Sequence, residues 1–290
     1  MKKPLFGAVF FAYIKKKHYL CTMIQAIRDI AAQLGTAYDA DEARALARWV
    51  VEETSEPEEA ARAIERLLRH EPVQYVFGHA LWNGLDLKVT PATLIPRPET
   101  AELVERVGKW RPSPVPFLKD GVVRVLDIGT GSGCIAIAIK KKHPEWEVTG
   151  IDISAEAVEV ARENAARNGV EVAFEVADIF SPLSSFYFLL STFDLVVSNP
   201  PYICESEKSS MKSNVLDYEP CTALFVPDDD PMRFYRRIAE LRIGRFLFFE
   251  INEVYGAEVA QTMRNAGYTD IQIIQDMYGK DRIVECRMAE

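Results

Sequence analysis

Three short segments of the chain carry residue types able to do chemistry. The first is Asp127-Ile-Gly129-Thr130-Gly131-Ser132-Gly133, which closes an apolar run and opens a helical one. Glycines there let the backbone bend sharply and let a ligand come close to it. The helix start behind them offers unpaired N–H groups to anionic ligand atoms. Gly131, Gly133 and Ala136 also satisfy G-x-G-x-x-A, so the glycines alone do not choose between ligands. The second set is Asp152, about 20 residues on at the end of the next apolar run, where a carboxylate can accept from both hydroxyls of a ribose. Asp178 ends the run after that, placed to accept from an adenine amino group while Ile179 packs on the ring. Each carboxylate also has a plainer reading, as a helix cap near Ser154 and as a turn aspartate. The third segment is Ser198-Asn199-Pro200-Pro201-Tyr202. Two prolines straight after a buried strand make poor sheet and a rigid turn. The Asn199 side-chain carbonyl and the Pro200 main-chain carbonyl can together hold both hydrogens of a planar –NH2 group, and Tyr202 can stack on it. Such a nitrogen is a poor nucleophile because its lone pair is delocalised. Acceptors that bind better as positive charge develops on it stabilise the transition state, and alignment lowers the barrier further.

These segments need elements that bring them together. From about residue 97 onward strand and helix patterns alternate: strands at Val122–Ile128, Val148–Ile153, Val172–Val176, Leu195–Ser198 and Phe246–Ile251, and helices at Cys134–Lys142, Ala155–Asn168, Met232–Leu241 and Glu258–Ala266. Ile271–Ile274 and Ile283–Cys286 are placed to pair at the end. The alternation predicts an α/β domain, a parallel sheet covered by helices on both faces, with ligands at the carboxyl ends of its strands. Residues 23–73 read instead as a small helical bundle, with Ala43, Leu46, Ala47 and Val50 at helical spacing. Between them, 74–96 reads as a β-hairpin linker, with Leu85, Leu87 and Val89 alternating after an Asn83-Gly84 turn.

The chain has 290 residues, with 34 Lys+Arg against 43 Asp+Glu and a net charge of −9. That balance argues against a wide grip on duplex nucleic acid, which needs clustered cations. Five Cys, with no C-x-x-C pair, argue against a disulfide framework or a zinc site, so no metal is expected and a reducing cytoplasm fits best. None of the four His falls at an expected sheet end, which counts against hydride-transfer chemistry. The apolar run Leu5–Ile14 is too short for a bilayer, which needs ~20 residues. No transmembrane segment or membrane partner is expected. Met23 opens a clean amphipathic pattern, so residues 1–22 read as an upstream extension, non-native or disordered.

The spacing D-x-G-x-G-x-G resembles that of S-adenosylmethionine-dependent methyltransferases, and Asn-Pro-Pro-Tyr resembles the class that methylates planar amino groups. Glu71-Pro72-Val-Gln-Tyr75-Val-Phe-Gly78, Leu94-Ile-Pro-Arg97-Pro-Glu99-Thr100, Tyr218-Glu-Pro220 with Ala223-Leu224, and Gly279-Lys-Asp-Arg282 narrow it. In this order they resemble the HemK/PrmC family of release factor glutamine N5-methyltransferases, from about Met23 to the end. The resemblance implies a Rossmann-like class I methyltransferase sheet over 97–290, mostly parallel with an antiparallel C-terminal strand. It implies methyl transfer from S-adenosyl-L-methionine to the glutamine of the Gly-Gly-Gln motif of class 1 peptide-chain release factors. Asp127, Gly129, Thr130, Gly131, Ser132, Gly133, Asp152, Ile153, Asp178, Ile179 and Asn199 would hold the cofactor. Asn199, Pro200, Pro201 and Tyr202 would hold the glutamine, with Asn199, Pro200 and Tyr202 catalytic, and Arg97 and Glu99 at the mouth. The helical bundle and hairpin would contact the release factor elsewhere, and a monomer is expected. A nucleic-acid amino methyltransferase acting on adenine N6 or guanine N2 is the alternative. The family's E-I-G-x-x-Q reads Glu250-Ile-Asn252-Glu-Val-Tyr255 here, and Phe225-Val-Pro227-Asp-Asp-Asp-Pro231 replaces a glycine-bearing stretch. Both departures bear on partner contacts more than on methyl transfer. Residues 184–192 look like a lengthened connection.

Overall fold

The computed structural model describes residues 23–111, 121–181 and 193–289. The extension 1–22 and the connection 184–192 fall outside the described residues. The chain divides into two units, 1–77 and 78–290.

The first unit holds helices α1 (residues 23–34), α2 (Ala40–Glu53), α3 (Pro57–Leu68) and α4 (Val73–Phe77). Asp39 caps α2 by accepting from the N–H groups of Asp41 and Glu42, and Pro57 opens α3, where its missing N–H costs nothing. Their apolar stripes close a core of Leu34, Leu46, Val50, Ile64 and Leu67. Arg66 donates to Glu71 Oε2 at 2.7 Å and to the Val76 and Tyr75 carbonyls at 2.8 and 3.0 Å. The Glu71–Tyr75 stretch is therefore a helix-end clasp within this unit.

The second unit opens with the hairpin β1 (His79–Trp82) and β2 (Leu85–Lys88). Asn83 and Gly84 both sit at positive φ, 48° and 75°, as a two-residue hairpin turn demands. Its inner face, Trp82, Leu85 and Leu87, belongs to the unit's own main core. The hairpin thus covers the sheet within this unit; three large apolar side chains on one face need a core to bury them.

The elements that follow are α5 (Thr100–Lys109), β3 (Arg124–Ile128), α6 (Cys134–Lys142), β4 (Glu147–Asp152), α7 (Ala155–Arg167), β5 (Ala173–Val176), β6 (Phe193–Ser198) and β7 (Ile203–Cys204). Then come α8 (Ser213–Leu216), β8 (Phe225–Val226), α9 (Arg233–Leu241), β9 (Gly244–Glu250), α10 (Gly256–Asn265), β10 (Tyr268–Gln275) and β11 (Asp281–Met288). Seven strands form one sheet in the order β10-β11-β9-β6-β3-β4-β5. The pairs β9–β6, β6–β3, β3–β4 and β4–β5 are parallel, while β11 runs antiparallel to both neighbours. Val125, Leu195 and Val197 face a layer with α5, α6 and the hairpin; Leu126 and Val196 face one with α9 and α10. Both faces are covered, which is why these strands read as continuous apolar runs. The chain order reverses beside β3, the switch point where such sheets open a ligand crevice.

Candidate active site

The glycine loop leaves β3 and folds back on β4. Gly129 and Thr130 both donate to the Ile151 carbonyl at 2.9 Å, and Gly131 donates to Asp152 Oδ2 at 2.9 Å. Gly129 and Gly131 sit at φ +73° and +54°, and a Cβ built on either meets nothing within 4 Å. The backbone there borders open space, as a close-approaching ligand requires. Asp152 Oδ1 accepts from Ser154 N at 2.9 Å, so both oxygens are held while keeping lone pairs free. Burial raises the Asp152 carboxyl above its ordinary value, opposed by these N–H groups.

Across the switch point, Ser198 closes β6 by donating to the Ile128 carbonyl at 2.7 Å. That bond ties the Asn199-Pro200-Pro201 turn to the base of the glycine loop. A cavity of about 450 Å³ lies between the two. Gly129, Gly131, Asp152, Ile153, Asp178 and Ile179 line one part of it, and Asn199, Pro200 and Pro201 another. Ile153 remains 63 % exposed within this wall, an apolar surface awaiting cover. Asp178 also accepts from Phe180 N at 2.9 Å, so the turn role and the lining role coexist.

Five expected residues stand behind the wall. Asp127 is fully buried, and burial pushes its carboxyl up to about 7. Its Oδ2 accepts from Thr130 Oγ1 at 2.6 Å, while Oδ1 and the buried Ser132 hydroxyl have no hydrogen-bond partner. Gly133 caps α6 in a left-handed conformation. Tyr202 turns its hydroxyl to Glu250 Oε1, at 3.3 Å, and packs on the α9–α10 side of the core. Arg97 and Glu99 do not line the cavity either. Arg97 donates to the buried Glu219 at 2.6 Å; Ile95 N donates to the same carboxylate at 3.2 Å. The pair joins the Leu94–Thr100 and Tyr218–Pro220 motifs and presents their neighbours Leu94, Pro220, Thr222 and Ala223 to the cavity.

A family model described as "Methyltransferase domain" matches residues 119–264. The release factor glutamine methyltransferase of Bacteroides thetaiotaomicron is 46% identical over 78% of this chain and 79% of its own length. That of Flavobacterium psychrophilum is 40% identical over 76% of each. The chain belongs to the release factor glutamine methyltransferase family. The hMettl16 catalytic domain, solved with an RNA hairpin of the MAT2A 3′UTR, aligns with 80% of this chain and 81% of its own at a TM-score of 0.53. At 14% identity it shows the fold alone.

Within this methyltransferase several residues at the site were not among those expected there. Phe180 and Phe234 line the cavity edge to face, 5.2 Å apart, with the Arg233 guanidinium 4.6 Å over Phe180. Arg237 holds that rim by donating to the Ile179 and Ser181 carbonyls at 2.6 and 3.0 Å. Thr100, at the start of α5, accepts from Asn199 Nδ2 at 3.2 Å. Of the family departures, Asn252 and Tyr255 lie off the cavity wall, while Phe225 lines it. Asn252 accepts from Val254 N, and the Tyr255 hydroxyl meets the buried Cys204 thiol at 3.3 Å, which raises its pKa to about 12. Among the described residues no helix is long and apolar enough to cross a membrane.

Proposed function

We propose that this enzyme transfers the methyl group of S-adenosyl-L-methionine to the side-chain amide N5 of the glutamine in the Gly-Gly-Gln motif of class 1 peptide-chain release factors. One observation carries the reading: the Asn199-Pro200-Pro201 turn opens into the same cavity as the glycine loop and Asp152. The chain's relatives are release factor glutamine methyltransferases, which supplies the acceptor.

The wall suits the cofactor. Open space over Gly129 and Gly131 admits its amino-acid tail, Asp152 keeps acceptor lone pairs for ribose hydroxyls, and Ile153 and Ile179 offer apolar faces to adenine. When bound, the cofactor supplies an electrophilic methyl on a sulfonium. Asn199 Oδ1 and the Pro200 carbonyl accept the two amide hydrogens, hold the nitrogen in line and gain strength as positive charge grows on it. No strong base is required, because the proton becomes acidic only as the new bond forms.

The reading predicts strict dependence on the amide. A release factor whose Gly-Gly-Gln glutamine is replaced by glutamate should gain no methyl, since a carboxylate has no N–H for Asn199 to hold. Labelling of the glutamate form at the wild-type rate would overturn the assignment. The cofactor half is checked separately by equilibrium binding without any acceptor.

A further inference from the structure

Glu250 ends β9 at 1% exposure, in a position that methyl transfer as described leaves unused. Its Oε1 accepts from the Tyr202 hydroxyl, and its Oε2 is buried without a hydrogen-bond partner. The 2% exposed Thr100 hydroxyl faces the same carboxylate and accepts from Asn199 Nδ2 at 3.2 Å. A hydroxyl has one proton, and an ionised carboxylate only accepts. When Thr100 turns its proton to Glu250, it shows Asn199 a lone pair. Asn199 must then meet it with Nδ2, which leaves Oδ1 for the cavity that Asn199 lines. With the amide reversed, Nδ2 would confront the substrate –NH2, donor against donor.

We propose that Glu250 is a positioning residue, which through Thr100 fixes the end of the Asn199 amide that faces the substrate nitrogen. This deepens the function proposed above and rests on its assignment of Asn199 to the amide. The charged and titratable groups whose field acts on Glu250 are Glu99 before α5, Tyr202 after β6, Cys134 on α6, Tyr235 on α9 and Arg282 on β11. Burial raises the Glu250 carboxyl; Thr100, Arg282 and Tyr202 oppose the shift. Once protonated, Glu250 can donate to Thr100, whose own proton then turns to Asn199 and reverses the amide. Acid should therefore slow methylation above the range where an ordinary glutamate titrates.

The test uses Thr100→Ser, Thr100→Val and Glu250→Gln in the full chain. Thr100→Ser keeps the hydroxyl and should turn over near the wild-type rate. Thr100→Val should lose roughly 10- to 100-fold in kcat, the range for removing a partner that orients a functional group, with cofactor affinity unchanged. Glu250→Gln should lower kcat and flatten the acid limb of its pH profile. The Asn199 side-chain amide NMR signal should move in Thr100→Val and stay in Thr100→Ser, whether or not any acceptor is present. Full kcat in Thr100→Val, or an unmoved signal, overturns the proposal. A moved signal in an enzyme that leaves the release factor glutamine untouched would sink the functional reading and keep the orientation.

Discussion

At the scale of single residues, the site separates groups that touch the cavity from groups that hold those that do. Asp152 is on the wall. Replacing it with Ala removes a charged acceptor, each of whose hydrogen bonds contributes about 1.5–3 kcal/mol, so S-adenosylmethionine affinity should fall at least about 10-fold, measured by equilibrium binding. Asp127 is behind the wall, and its consequence is for stability. Burial pushes its carboxyl up to about 7 in the folded protein, from an ordinary aspartate value of 3.8. Between those values the folded state binds the extra proton, so this group's contribution to stability falls as pH rises from about 4 to 7. Asp127→Asn should remove that slope, seen as a flatter curve of Tm against pH than the wild type; identical slopes would refute the assignment. Residue types alone led to Asn199, Asp152 and the glycines because their chemistry is local. Thr100 and Glu250 gave no such signal. Thr100 stands 99 positions from Asn199, and Glu250 stands 48 from Tyr202, so only the folded sheet end shows them as one cluster.

At the scale of elements, long apolar runs and helical stripes were readable, and the strands of the main sheet show as such runs, while their order is visible only in the fold. Shorter pieces were not readable. β7 and β8 have two residues each, too few to show a period, yet they bring residues 220–225 to the cavity. The hairpin pattern was legible, while the core its inner face joins was not, since alternation names a buried face and not its partner. Arg97 and Glu219 illustrate the same limit from two motifs far apart in sequence. Arg97→Ala leaves Glu219, whose side chain is 2% exposed, without its cation. Because Arg97 is 33% exposed and Ile95 N still donates to Glu219, the loss should be about 1–3 kcal/mol, measurable by urea unfolding; no loss would mean the pair braces nothing. Packing between strand and loop is equally tight. A Cβ on Gly150 would fall 2.7 Å from Thr130 Oγ1 and 2.6 Å from the Phe174 ring. Gly150→Ala should displace the glycine loop and weaken cofactor binding more than it lowers Tm.

At the scale of the whole molecule, a net charge of −9 bears on substrate class. Duplex nucleic acid should not compete, because wide phosphate binding needs a surplus of clustered cations and this chain carries 34 cationic against 43 anionic side chains. Excess duplex DNA should leave the rate of protein methylation unchanged at low salt; strong inhibition would favour the nucleic-acid alternative. Fold class and reaction class were legible at this scale because several motifs occur in one order along the chain. The most direct measurement is mass spectrometry of a class 1 release factor after incubation with this enzyme and S-adenosylmethionine. The account predicts one added methyl on the Gly-Gly-Gln glutamine, absent with Asn199→Ala. An unmodified glutamine, with the methyl delivered to DNA or ribosomal RNA instead, would contradict it.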